Sequence, residues 1–169
     1  SILKYLTKNH KIEIYSNLNN YYLKNYIKNF FFKLFKLSDY KDFNFFKEIN
    51  FYLDINYLKN LNLSNNLYGI RQFEKLNQYS MALNIHANNI NYSSNIRLFE
   101  VTGVGNCLFT ENTKNIKDLF DINNEIITFN NKEDLNYKIN YLKNNPKEVK
   151  KIELKAQKKV IKNHTFEKR

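Results

Sequence analysis

Apolar side chains recur along this chain in two rhythms, and the places where one gives way to the other mark its elements. Residues 2–9 place apolar positions at helical intervals and read as the end of a helix. KIEIY at 11–15 alternates, with Ile12 and Ile14 facing one way, which predicts a strand. Over 21–62, the stretches YYLKNYIKNFFFKLFKL and DFNFFKEINFYLDINYLKNL return to helical spacing and predict two amphipathic helices. A turn over 64–69, a helix over 71–78 and the strand MALNIH at 81–86 follow, and then an Asn-rich loop. Residues 95–102 predict a helix ended by Gly103, because glycine takes the left-handed conformation without steric cost. NCLFT at 106–110 predicts a short buried strand, 114–120 a short helix and EIITF at 125–129 another strand. A helix over 132–143 carries Leu135, Ile139 and Leu142 in step, and Pro146 opens a long basic helix to about residue 163.

Helices and strands alternating in this order imply an α/β fold: a Rossmann-like parallel sheet with helices on both faces. The expected organisation is a single domain over 1–169 with an aromatic and Lys-rich helical insertion at about 19–66. Within the insertion, Phe30, Phe31, Phe32 and Phe35 stand among Lys28, Lys33 and Lys36. They read either as core-facing side chains or as a face resting on a membrane surface or another domain.

Composition narrows the function classes. With 43% hydrophobic and 16% aromatic residues, the chain can bury enough apolar surface to offset the entropy of ordering. The formal charge of +11 invites a nucleic-acid partner. Yet the abundant Lys, Asn, Ile, Phe and Tyr are all spelled by AT-rich codons, so the basicity reads as codon drift in an AT-rich, bacterial genome, and no nucleic-acid partner is expected. The single cysteine, Cys107, excludes an internal disulfide and a Cys-built zinc cage. His10, His86 and His164 are scattered, and the sequence holds no Asp-x-Asp pair for a nucleotide-bound divalent ion, so neither a metal nor a cofactor is expected. No apolar run reaches the ~20 residues of a membrane span and no signal-peptide pattern opens the chain, which points to the cytoplasm with peripheral membrane contact as a second reading. The first residue is Ser, and the chain reads as a trimmed fragment.

The chemistry concentrates in RLFEVTGVGNCLFTE, residues 97–111, which holds two of the three glycines, Glu100 and the only cysteine. In open α/β sheets, ligands bind beyond the carboxyl ends of strands, with phosphates at a helix N-terminus. Ser93, Ser94 and Asn95 are good N-caps whose backbone N–H groups would face a phosphate. Glu100 reads either as the acceptor of both hydroxyls of a ribose or as a surface or capping carboxylate. GVGN is no dinucleotide fingerprint, since the third glycine is missing and the motif follows a helix rather than a strand.

From residue 73 to 169 the order of elements resembles the nucleotide-sugar-binding C-terminal domain of GT-B glycosyltransferases, which have two Rossmann domains. The resemblance is to the CgeB-like branch of the glycosyl transferase group 1 superfamily. It is carried by SMALNIHANN at 80–89, NIRLFEVTGVGNCLFTE at 95–111, KDLF at 117–120, EIITF, EDLNYKINYLKNNP and the closing HTFEKR at 164–169. It implies an incomplete GT-B C-terminal domain that transfers a sugar from a UDP- or GDP-sugar to an acceptor hydroxyl without a metal. The acceptor site and catalytic base would then lie on a missing N-terminal Rossmann domain, and no residue here is assigned as catalytic.

Residue by residue, the resemblance places Glu100 at the second acidic position of the superfamily's motif, which holds the ribose hydroxyls. The first acidic position falls on Tyr92, a departure that bears on the contact to the donor sugar. Ser93, Ser94 and Asn95 fall where backbone N–H groups approach the diphosphate. Arg97 either holds phosphate through a bidentate contact or pairs with Glu100. Asn84 and His86 alternate onto one face of MALNIH, leaving Met81, Leu83 and Ile85 for the other. His86 then either touches the sugar or phosphate or is a structural hydrogen-bonder. Arg71 and Lys75 either supply charge to phosphate or are solvated helix cations, and Cys107 and His164 read as structural. The alternatives are a nucleotide-binding or structural module without catalysis, and a basic protein binding nucleic acid or a membrane surface.

Overall fold

The structure, a computed structural model, describes residues 2–14, 67–86, 92 and 95–168. The chain divides into two compact units, Ser1–Leu67 and Tyr68–Arg169. The helices expected over 21–62, and most of the insertion expected over 19–66 with its aromatic face, lie outside the described residues.

In the first unit, helix α1 spans Ile2–Asn9 and buries Leu6 completely. The His10 backbone N–H donates to the Leu6 carbonyl at 2.8 Å and closes its last turn. The strand expected at 11–15 is not formed over 11–14, where the backbone is irregular. Alternation survives in the side chains, with Lys11 and Glu13 exposed and Ile12 and Ile14 half-buried. Alternation alone does not make a strand, because a strand also needs a hydrogen-bonding partner at its edge.

In the second unit, the elements are α2 (Ile70–Leu76), β1 (Met81–Asn84), α3 (Arg97–Val104), β2 (Cys107–Glu111), α4 (Ile116–Leu119), β3 (Ile127–Phe129), α5 (Lys132–Lys143) and α6 (Pro146–Asn163). A short 3₁₀ helix, Phe166–Lys168, follows them. The three strands pair in the order β1-β2-β3 and all run parallel, as crossover helices between successive strands require. The register sets Asn84 beside Thr110, and Glu111 beside Phe129. This is the α/β, Rossmann-like arrangement expected from the alternation of elements, with helices flanking the sheet. Cys107, Leu108, Phe109 and Thr110 are all buried, as are Ile127, Thr128 and Phe129, the continuous burial of strands covered on both faces.

One cluster gathers Leu98, Phe99 and Val101 of α3 with Leu108, Ile116, Phe120, Ile126 and Val160, and Ala82 and Leu76 pack against it. Cys107, one residue before Leu108, points to the opposite face of the sheet. Helix α6 packs against β2, and its Glu153 and Glu148 lie close enough to Cys107 to act on the thiol. Helix α5 begins where the sequence places it. Asn131 caps it by accepting the Asp134 N–H at 2.8 Å, and Pro146 sits at the start of α6.

The helix expected to end at Gly103 runs on to Val104, and Gly105 caps it in the left-handed region at φ 96°. Gly105 N–H donates to Thr102 O at 3.1 Å and Asn106 N–H to Val101 O at 3.2 Å, the paired bonds of a Schellman motif. Gly103 lies inside the helix, where an added Cβ would meet Val160 Cγ1 at an ordinary 3.5 Å. The two glycines therefore answer differently to alanine. Gly105→Ala is expected to cost about 1–2 kcal/mol, because a side chain in that conformation crowds its own backbone and the Gln157 amide. Gly103→Ala should leave the urea midpoint unchanged or raise it, since alanine suits a helix interior better by about 0.5–1 kcal/mol. Equal losses in both variants would show that the helix end is misassigned.

Candidate functional site

The parallel strands end together at Asn84 and Glu111, and the first turn of α3 comes back over the same end of the sheet. Asn84 is buried and its amide is spent on neighbours. Nδ2 donates to Thr110 Oγ1 at 3.3 Å and to Asn95 Oδ1 at 3.3 Å, and Asn95 Nδ2 returns a bond to Asn84 Oδ1 at 3.0 Å. This reciprocal amide pair ties the start of α3 to the end of β1. It also corrects the N-cap reading of Asn95. The cap position belongs to Ile96, with no side-chain cap bond, because the Asn95 side chain is turned to Asn84. Ser93 and Ser94 lie outside the described residues, and Tyr92 is 57% exposed.

Glu100 sits in the first turn of α3, its side chain 20% exposed. Gln72 Nε2 of α2 donates to Oε2 at 3.1 Å, and Arg97 Nη1 reaches the same oxygen at 3.2 Å. Among the described residues Oε1 has no hydrogen-bond partner. The carboxylate is thus clamped by one oxygen and open at the other. Arg97 does pair with Glu100, and its guanidinium remains half-exposed. Gln72 was missed in the sequence because its partner lies 28 positions away, and only the packing of α2 on α3 joins them. Arg71 is exposed on the same helix, whereas Lys75 turns to Gln78 at 2.9 Å and over the Tyr79 ring.

The alternation expected to run to His86 stops at Asn84, so Ile85 and His86 lie past the strand. His86 leaves the strand because Glu111 captures it. The carboxylate accepts the His86 backbone N–H at 2.7 Å and lies 3.0 Å from the ring Nδ1. Nε2 is buried and, among the described residues, has no hydrogen-bond partner. Glu111 also escaped the sequence reading, although an acidic residue closing the buried strand NCLFTE was a usable signal.

The remaining singled-out residues lie elsewhere. Cys107 opens β2 at the end away from Glu111, and burial, aided by Glu153 and Glu148, pushes its thiol up to about 12. His164 packs against the rings of Phe99 and Phe120, with centroids 4.9 and 6.1 Å away. A concavity of about 190 Å³ lined by Asn123, Ile127, Lys138, Tyr141, Leu142 and Glu148 lies toward the amino end of β3, away from the strand-end cluster. Three of its polar side chains are already bonded: Tyr141 to Glu148, and Lys138 to Thr128 O and Asp134. Among the described residues no group of three His, Cys, Asp or Glu side chains could hold a metal, and no helix is long and apolar enough to cross a membrane.

A polar cluster at the carboxyl ends of parallel strands, beside a helix N-terminus and a half-open carboxylate, suits a ligand with hydroxyls and negative charge. No curated protein and no solved structure matches the chain. The model of one family, described as glycosyl transferase-like, matches residues 28–169. That match covers most of the chain and all of β1, α3 and β2 with their polar cluster, and the chain belongs to the glycosyl transferase-like family.

Proposed function

We propose that this chain carries the donor site of a glycosyltransferase and takes a nucleoside diphosphate sugar, UDP- or GDP-linked, at the carboxyl ends of β1 and β2. The observation that supports it best is Glu100, held at Oε2 by Gln72 and Arg97 and, among the described residues, without a partner at Oε1. A carboxylate so oriented can accept the hydroxyls of a ribose with little further ordering, which is where binding energy is otherwise lost. The diphosphate would lie at the start of α3, where the helix dipole favours negative charge, with Arg97 beside it.

In this reading the leaving diphosphate gains charge as the glycosidic bond breaks. The helix dipole and the Arg97 cation then stabilise the transition state more than the bound donor. Transfer is metal-independent, in keeping with the lack of an Asp-x-Asp pair in the sequence. The acceptor and its base come from a second Rossmann domain of the CgeB-like, GT-B arrangement. Tyr92 at the first acidic position favours one competing reading, a nucleotide-binding module without transfer.

Calorimetric titration with UDP and GDP, on this chain and on Glu100→Ala at two salt concentrations, tests the reading. Saturable binding of one nucleotide, weakened about ten-fold by Glu100→Ala, is the expected result, the value of one good hydrogen bond to a charged group. Equal affinity in the variant, or binding that only falls steeply with salt, would sink it in favour of a basic surface.

A further inference from the structure

His86 is a polar side chain that the donor-site reading leaves unused. Its side chain is 4% exposed, and among the described residues Nε2 has no hydrogen-bond partner. The other ring nitrogen is committed. Glu111 Oε2 lies 3.0 Å from Nδ1 and also takes the His86 backbone N–H, so ring and backbone are fixed by one oxygen. An ionised carboxylate can only accept, and the proton between the two therefore belongs to Nδ1. On the neutral ring Nε2 is then a lone pair that wants a donor.

Among the described residues the neighbouring polar groups do not supply one. Asn84 and Asn95 bond to each other, and Asn84 also bonds to Thr110. A buried polar atom without a partner, next to the carboxyl ends of parallel strands, is the kind of vacancy that a ligand relieves. The ligand group that fits is a hydroxyl. Phosphate oxygens offer no proton to a lone pair, whereas a hydroxyl does.

We propose that Glu111 is a positioning residue that holds His86 with its proton on Nδ1, so that Nε2 accepts a hydrogen bond from a hydroxyl of the transferred sugar. The inference rests on the donor-site reading, in which Glu100 takes the ribose hydroxyls and leaves those of the sugar for His86. Sugar recognition is thereby separated from nucleotide recognition: Glu100 answers to the nucleoside, and the Glu111–His86 pair to what the diphosphate carries.

The test is nitrogen NMR of the His86 ring in the isotope-labelled chain, free and with UDP, GDP, UDP-glucose or GDP-mannose, alongside calorimetry of the same titrations. The free ring is expected to carry a proton on Nδ1 and none on Nε2, and Nε2 shifts with a sugar nucleotide and not with the bare diphosphate. Glu111→Ala should release the tautomer and weaken sugar-nucleotide binding about ten-fold while bare UDP or GDP binds as before. Glu111→Gln should restore both, since its amide oxygen can face the same two N–H donors. If Glu111→Ala does not fold, the wild-type ring spectra and Glu111→Gln decide.

A proton on Nε2 in the free chain overturns the proposal, and so does an Nε2 shift produced equally by the bare diphosphate. Glu100-dependent UDP or GDP binding with Nε2 silent toward every sugar nucleotide overturns this inference alone. No binding of any of the four ligands overturns it together with the donor-site reading.

Discussion

Phe120→Ala is expected to destabilise the chain by about 3–5 kcal/mol, read as a lower urea midpoint at unchanged slope. Phe120 is 1% exposed, and its ring centroid lies 5.7 Å from Phe99 and 6.1 Å from His164. Removing it deletes a full aromatic side chain and leaves a cavity bounded by α3, the end of α4 and the residue that follows α6. Backbone on several sides limits collapse, which puts the cost toward the upper part of the range. The consequence reaches the candidate site, because Phe99 precedes Glu100 and its ring anchors the buried face of α3. With Phe120 gone, Phe99 can repack and the Glu100 clamp loosens, so nucleotide affinity should fall along with stability. Tyr137→Ala is the contrast: Tyr137 is 69% exposed on α5 and its loss should cost no more than about 0.5 kcal/mol. A Phe120→Ala cost below about 1 kcal/mol would remove Phe120 from the core.

The Cys107 thiol is expected to resist alkylation until the protein unfolds. Burial first, and then Glu153 and Glu148, raise it from an ordinary 9.0 to about 12, which lowers the thiolate fraction at pH 8 by about a thousand-fold. The same shift makes stability depend on pH, with a definite sign. The folded state holds the proton more tightly than the unfolded one, so this contribution is fully present below pH 9 and is lost as pH rises from there toward 12. By pH 10 the loss is about 1.4 kcal/mol. Comparing wild type with Cys107→Ala at pH 8 and pH 10 isolates it from the Lys and Tyr groups that titrate nearby, because the variant lacks only the thiol. The difference in stability should move in favour of the variant by that amount. Fast alkylation at pH 8 in folded protein, or a difference that ignores pH, would show that the thiol is open to water.

Much of the second unit was legible in the residue order. Helix α5 was expected over 132–143 and is found there, because its cap Asn131 and its buried Leu135 and Leu142 are local signals. Pro146 marked the start of α6 in the same way. The strand at 11–15 failed because alternation reports which side chains are buried and says nothing of whether a backbone partner is present. The helix end was placed two residues early because either glycine could have served as the cap, and the choice depended on how α3 meets Val160 and Gln157 of α6.

The candidate site divides along the same line. Glu100, Arg97, Asn84 and His86 were visible as residue types at positions near strand ends and a helix start. Gln72, Thr110 and Glu111 were not, since each finds its partner 25 to 28 positions away. What the residue order determined by itself was the kind and sequence of elements, since periodicity, caps and turns are interactions among near neighbours. What only the tertiary structure decided was which oxygen of Glu100 is held by Gln72 and Arg97, which nitrogen of His86 faces Glu111 and which glycine ends α3. Those outcomes depend on the parallel register that brings Asn84 and Thr110 side by side, and on helices packed over the strand ends, neither of which a short stretch of sequence contains.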